Sequence, residues 1–277
     1  MLLRLVRDFR RAMDLSLVLD QEGIHHELRG TGEEQWALLI DDADRERAEA
    51  AVAAFERENP PPPQRQERLT IPAPALASGL IFFLALLALH VWTGPDSAGS
   101  PWFARGAADA AAILRGEWWR TVTALTLHAD AGHAVGNAVL GGLLLTLLAR
   151  ALGPGVASAL LLLAGAAGTG AAAWLLRRDF VSIGASTAVF AALGALAVLP
   201  QHRRRAWIPL GAGLALLAFL GTGKRADLAG HLCGFAAGVM LGALAARLPP
   251  MRSRAVQAAL AAGAAAAPVV AWVAAFR

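Results

Sequence analysis

Three short groups of polar residues interrupt otherwise apolar stretches of this sequence. They are His128-Ala129-Asp130-Ala131-Gly132-His133-Ala134-Val135-Gly136-Asn137, Gly184-Ala185-Ser186-Thr187 and Gly230-His231-Leu232-Cys233-Gly234. Polar residues in membrane-grade runs are costly and need partners, so each is a candidate site. Ser186, two residues after Gly184, is the candidate nucleophile. It stands near the start of an apolar helix, where unpaired backbone N–H groups favour developing negative charge. Serine also packs or bonds back to carbonyls in such helices, so it needs a base to act.

His231 is the candidate base. Gly230, Gly234, Gly238 and Gly242 recur every four residues along its helix and form one small face. Such a face lets two helix backbones approach closely. Ala185, Ala188, Ala192 and Gly194 offer small residues on the Ser186 helix, so the pairing brings His231 to Ser186. His133 and Asn137 are four apart and share a helix face. Both can donate hydrogen bonds to an oxyanion, and an interhelical polar contact is the alternative use. His128 precedes that helix and shapes the loop. Asp227 lies one turn before His231 and orients it only by facing back, so a Ser-His dyad is the simpler expectation. His128, Asp130, His133 and His231 are ligand types, but no His-Glu-x-x-His helix occurs and a spacing of five shares a face poorly. Neither a metal nor a cofactor is expected.

The elements that must position these residues are membrane helices. The chain has 277 residues, 56% of them hydrophobic, with a mean hydropathy of +0.49. Successive apolar runs of roughly 18 residues or more match a hydrocarbon core about 30 Å thick. Spans are expected at 71–93, 131–149, 154–176, 183–200, 206–222 and 228–246, with a seventh at 255–276 that contains Pro268. The connection 94–127 is long and carries Trp102, Phe103, Trp118 and Trp119, residues suited to a membrane–water interface. His90 reads as interfacial and outside any site.

Residues 1–59 read as a small soluble α-β-β-α unit. It has a helix over 9–19, strands at 24–28 and 36–40, and a helix over about 43–58 introduced by Asp41, Asp42 and Asp44. His25 and His26 take opposite faces of one strand at its rim. The proline run 60–63 opens a stiff linker, 60–70. The N-terminal arginines precede no cleavable signal pattern. Cys233 is the single cysteine, so no intrachain disulfide forms. The scattered basic residues and net charge of +4 do not form a nucleic-acid surface. Arg150, Arg203, Arg204, Arg205, Arg247, Arg252 and Arg254 favour a cytoplasmic N-terminus, against Arg177, Arg178, Lys224 and Arg225.

These motifs together resemble the rhomboid intramembrane serine proteases. Glu117-Trp118-Trp119-Arg120 with His128, His133 and Asn137 is similar to the family's loop and second-helix signature. Gly184-Ala185-Ser186 is similar to its nucleophile motif, and Gly230-His231 through Gly238 to its histidine helix. The resemblance covers 71–248, a six-helix core, leaving 249–277 as an extra C-terminal span. It implies Ser186 as nucleophile and His231 as general base. It also implies an oxyanion hole from the Ser186 N–H, His133 and Asn137, and Phe190 packed on the histidine. The implied substrates are single-span membrane proteins cut in or near the bilayer. The implied location is the inner membrane, as a multi-pass protein. Thr187 departs from the glycine or alanine usual in the family at that place. A non-catalytic relative that binds membrane proteins is the alternative. A transporter would need polar groups across the whole bilayer, whereas these cluster at one depth.

Overall fold

The computed structural model describes residues 1–6, 8–31, 35–60, 70–177, 181–200, 211, 227–251 and 253–277. They fall into two compact units, Met1–Thr70 and Ile71–Arg277.

In the first unit, β1 (Leu2–Val6), α1 (Phe9–Gln21), β2 (His26–Gly30), β3 (Trp36–Ile40) and α2 (Arg45–Glu58) follow in order. The sheet is antiparallel with β3 central, in the order β1-β3-β2. The unit is therefore β-α-β-β-α, and the α-β-β-α expectation missed β1. Leu3, Leu15, Leu19, Leu38, Ile40, Ala48 and Val52 bury one face of the sheet beneath both helices. Asp8 caps α1 by accepting from the Arg10 N–H at 3.0 Å. His25 is exposed. His26 is held locally, with Nε2 on the Ser16 hydroxyl and Nδ1 donating to the Ile24 carbonyl.

The second unit is helical. Its long elements are α3 (Ala73–Thr93), α7 (Ala131–Leu152), α8 (Pro154–Leu176), α9 (Ser186–Val198), α10 (Leu228–Arg247) and α11 (Arg254–Ala275). Among the described residues, five helical stretches are long and apolar enough to cross a membrane: α3 with the turn after it, α7, α8, α10 and α11. The expected span 183–200 is instead a 13-residue helix, α9, buried along nearly its whole length. At 1.5 Å per residue it extends only about 20 Å, well short of a hydrocarbon core of about 30 Å. Apart from residue 211, the expected span 206–222 lies outside the described residues. So do linker residues 61–69 and the charges at 178, 203–205, 224, 225 and 252.

The connection before α7 is folded, not an open loop. It contains α4 (Pro101–Gly106), α5 (Ala110–Leu114) and α6 (Arg120–Thr123). A two-residue strand, β4 (Ala108–Asp109), pairs antiparallel with β5 (Val181–Ser182), just ahead of α9. Arg120 fixes this fold. It pairs with the Glu117 carboxylate at 2.7 Å and donates to the Ala107 and Ala104 carbonyls at 2.9 and 3.0 Å. A guanidinium presents five donors in a rigid fork, which suits tying several chain segments at once.

The core of this unit gathers on α9. Val189, Phe190, Leu193 and Leu196 pack with Leu144, Leu145 and Leu148 of α7 and Leu160 and Leu161 of α8. On its other side α9 meets the glycine face of α10. A methyl group placed on Gly234, Gly238 or Gly242 would stand 2.3 Å from the Thr187 carbonyl oxygen, 1.9 Å from that of Ala191 and 2.7 Å from the Ala195 Cα, respectively. The two backbones are thus in direct contact, as small-residue helix faces permit.

Candidate active site

Ser186 is the first residue of α9, and His231 lies in the first turn of α10. The contact of α9 with α10 brings them together. The Ser186 hydroxyl and His231 Nε2 are hydrogen-bonded at 2.8 Å, with both side chains buried. His231 Nδ1 is buried and has no hydrogen-bond partner among the described residues. With Nε2 accepting from serine, the ring proton belongs on Nδ1. Phe190, one turn after Ser186 and fully buried, stacks on the imidazole with ring centroids 4.5 Å apart and planes 22° apart.

Asp227 does not reach His231 Nδ1. One carboxylate oxygen caps α10 by accepting from the Gly230 N–H at 2.7 Å, and the other accepts the Ser182 hydroxyl. The start of the histidine helix is thereby tied to β5, four residues ahead of Ser186. The role left open for Asp227 in the sequence is that of a cap and tether.

The turn into α9 faces α7. Gly184 has φ +116°, a conformation that L side chains rarely adopt, and a methyl group there would stand 2.7 Å from both Cε1 and Nε2 of His133 and 3.5 Å from Asn137 Nδ2. His133 and Asn137 therefore line the space beside the turn. Asp130 caps α7 by accepting from the His133 N–H at 2.8 Å. The His133 ring accepts from the Ala129 N–H at Nδ1, 3.4 Å away, which leaves the proton on Nε2, the ring nitrogen beside Gly184. The same turn is held from behind. The Gly184 N–H donates to the Ala124 carbonyl at 2.8 Å, and the Ala185 N–H to His128 Nε2 at 3.3 Å.

His128 is fully buried, its ring 5.1 Å from that of His133 and 6.5 Å from that of His90. His90 is thus not an isolated interfacial residue. It meets His128 edge-on, and its Nδ1 is buried. Among the described residues, no group of three or more His, Cys, Asp or Glu side chains is placed to hold a metal ion. Thr187 is buried, and its methyl group packs into the space left by Gly168 of α8 and Gly234 of α10.

A buried serine on a histidine acceptor, beside a turn lined by N–H donors, is equipped for nucleophilic attack on a carbonyl. The rhomboid domain family model matches residues 115–248, which hold all of these groups except His90. Residues 115–248 carry a rhomboid domain. It is 30% identical over 139 residues to the rhomboid protease GluP of Bacillus subtilis (strain 168), a match covering 48% of this chain and 27% of that protein. The rhomboid domain ends at the C-terminus of α10, so α11 and the first unit lie outside the match.

Proposed function

We propose that this rhomboid-domain protein is an intramembrane serine endopeptidase that uses a Ser186–His231 dyad on single-span membrane-protein substrates. The observation that carries the reading is the 2.8 Å Ser186–His231 hydrogen bond, buried under Phe190. The kinship with a protein named as a rhomboid protease supports it.

In this mechanism Ser186 Oγ attacks the scissile carbonyl carbon while its proton passes to His231 Nε2. The carbonyl oxygen becomes an oxyanion beside the Ser186 N–H, His133 Nε2–H and the Asn137 amide. Collapse breaks the C–N bond, and His231 returns the proton to the departing amine. A water then attacks the acyl-serine, losing its proton to His231, and the second collapse restores the Ser186 hydroxyl. The π-face of Phe190 lies against the imidazolium formed in each half, a favourable placement for a cation. The site belongs to a multi-pass protein of the inner membrane with a cytoplasmic N-terminus.

Thr187 is the residue that favours a non-catalytic binder. Its methyl group is taken up between two glycines, so the departure leaves the turn at Gly184 intact and supports the enzyme reading.

The test is covalent labelling of the detergent-solubilised protein with a fluorophosphonate, beside Ser186→Ala and His231→Ala. Labelling of the parent that disappears in both variants is the expected result. A folded parent that takes up no label in either detergent or lipid would replace the enzyme with the binder.

A further inference from the structure

Helix α11 lies outside the matched rhomboid domain, yet its far end is built into the segment that supports the Ser186 turn. The Trp272 indole N–H donates to the Thr126 hydroxyl at 3.1 Å. That hydroxyl donates in turn to the Thr123 carbonyl at 2.7 Å, so its orientation is fixed from both sides. The Thr123 hydroxyl donates to the Gly106 carbonyl at 2.8 Å. Gly106 lies directly under the Trp272 ring, where a methyl group would stand 2.2 Å from it. Trp272, Gly106, Thr123 and Thr126 therefore form a closed circuit of contacts.

The other side of the same segment holds the turn into α9, through the Ala124 carbonyl on the Gly184 N–H and His128 on the Ala185 N–H. The segment 123–128 is thus clamped between Trp272 and the peptide groups that precede Ser186. The opposite end of α11 is anchored as well. Gln257 accepts from the Gly155 and Val156 N–H groups at 2.7 and 3.1 Å and donates to the Leu152 carbonyl at 3.0 Å. The fifteen helical steps from Gln257 to Trp272 measure about 22 Å. A rod pinned at both ends sets where its tip stands, and this tip carries the indole.

We infer that α11 is a strut for the candidate active site and that Trp272 is a positioning residue, acting through Thr126 and segment 123–128 on the Gly184–Ala185 turn. The inference rests on the proposed serine chemistry for its consequence, but not for its structural half, and the two are tested separately.

Amide hydrogen exchange of the 181–189 stretch tests the structural half in the full chain, whatever the protein does. Trp272→Phe removes the donor together with the outer edge of the ring that covers Gly106. Thr126→Val removes the acceptor, and Thr126→Ser keeps it. Faster exchange in Trp272→Phe and Thr126→Val, with parent-like exchange in Thr126→Ser, is expected. Parent-like exchange in all three overturns the strut.

Fluorophosphonate labelling tests the consequence. A neutral hydrogen bond of ordinary strength corresponds to a change of about fivefold in the labelling rate constant. Trp272→Phe is expected to lose about that much and Thr126→Val at least as much, since it also removes the bond to the Thr123 carbonyl. Their combination should fall short of the product of the two losses, because both remove the indole–hydroxyl bond. A merely structural role would lower the fraction labelled at saturation and leave the rate constant of the folded molecules unchanged. That outcome, or losses that multiply in the double variant, overturns the inference. A parent that takes no label while the exchange pattern holds removes the serine chemistry and leaves the strut standing.

Discussion

Gly238 of α10 and Ala191 of α9 meet so closely that a methyl group on the glycine would stand 1.9 Å from the Ala191 carbonyl oxygen. Backbone touches backbone here, two turns along from the 2.8 Å bond between Ser186 and His231. The helix contact and the dyad are one arrangement seen at two heights. Gly238→Ala must push the helices apart, because a carbonyl oxygen within a helix has no free rotation with which to yield. Overpacking of this kind costs about 1–3 kcal/mol. The expected result is a lowered thermal midpoint in detergent together with slower fluorophosphonate labelling. A parent-like midpoint would mean that the helices do not meet at this glycine.

Gly184→Ala is expected to be more damaging to chemistry than to stability. The added methyl group lands on the His133 ring, at a φ of +116° that alanine resists. Either His133 swings away or the turn shifts, and both separate the donors from the Ser186 N–H. Labelling should fall on the order of a hundredfold, the scale of losing one oxyanion donor. A variant that labels within threefold of the parent would remove this geometry from the mechanism.

His133→Ala and Asn137→Ala each delete one donor beside the turn while leaving Ser186 and His231 in place. Each is expected to reduce turnover of a membrane-protein reporter on the order of a hundredfold or more. Reaction with a small, highly electrophilic probe should fall less, since it leans less on the oxyanion site. Equal losses with both reagents would mean that the two side chains serve the fold and not the developing charge.

Asp227 and Ser182 form a tether between the start of α10 and β5. Asp227→Ala removes both that bond and the cap on Gly230, whereas Ser182→Ala removes the bond alone. Loss of a helix cap typically costs about 1 kcal/mol. Asp227→Ala should therefore lower the thermal midpoint further than Ser182→Ala. The double variant should be no worse than Asp227→Ala, because the serine has lost its partner already. Additive losses in the midpoint would show the two residues to be independent.

Phe190 is buried on every side and stacked on His231. Phe190→Leu retains apolar bulk and removes the flat face. The fold should survive with a modestly lower midpoint, while the labelling rate falls because the imidazole is no longer held in plane. Phe190→Ala should lose about 3–5 kcal/mol of stability from the cavity it leaves. Phe190→Leu labelling at the parent rate would assign the ring to packing alone.

Local patterns in the sequence were readable where they carried a strong period or a costly residue. The glycines at 230, 234, 238 and 242 announced a close helix approach because no side chain can enter such a contact. Trp36–Ile40 announced a strand by its apolar run between turn residues. β1 was missed because Leu2–Val6 is short, broken by an arginine and stabilised by pairing with β3, a partner distant in sequence. The brevity of α9 was missed for a related reason. Apolar residues on both sides of Ser186 read as one span, and the turn at Gly184 and Ala185 that delays the helix is held by Ala124 and His128, both distant in sequence. His90 looked peripheral because its neighbour, His128, is 38 positions away. Nothing local links Ser182 to Asp227. Gln257 and Trp272 did carry a signal: a polar side chain and a large donor-bearing ring in an alanine-rich helix both call for partners.

The packing of Thr187 has a consequence for how this protein can change by descent. Its methyl group occupies the room that Gly168 and Gly234 leave empty, with a methyl group on Gly168 falling 3.0 Å and one on Gly234 falling 2.9 Å from it. The three positions share one fixed volume. Shrinking 187 would free neither glycine: the Gly234 backbone still bars a methyl group at 168, at 2.6 Å from its Cα, and the Thr187 carbonyl bars one at 234 at 2.3 Å. A smaller residue at 187 therefore leaves a void and opens neither position to a side chain. Lineages are held to glycine at 168 and 234 whichever residue stands at 187, because backbone closes both positions.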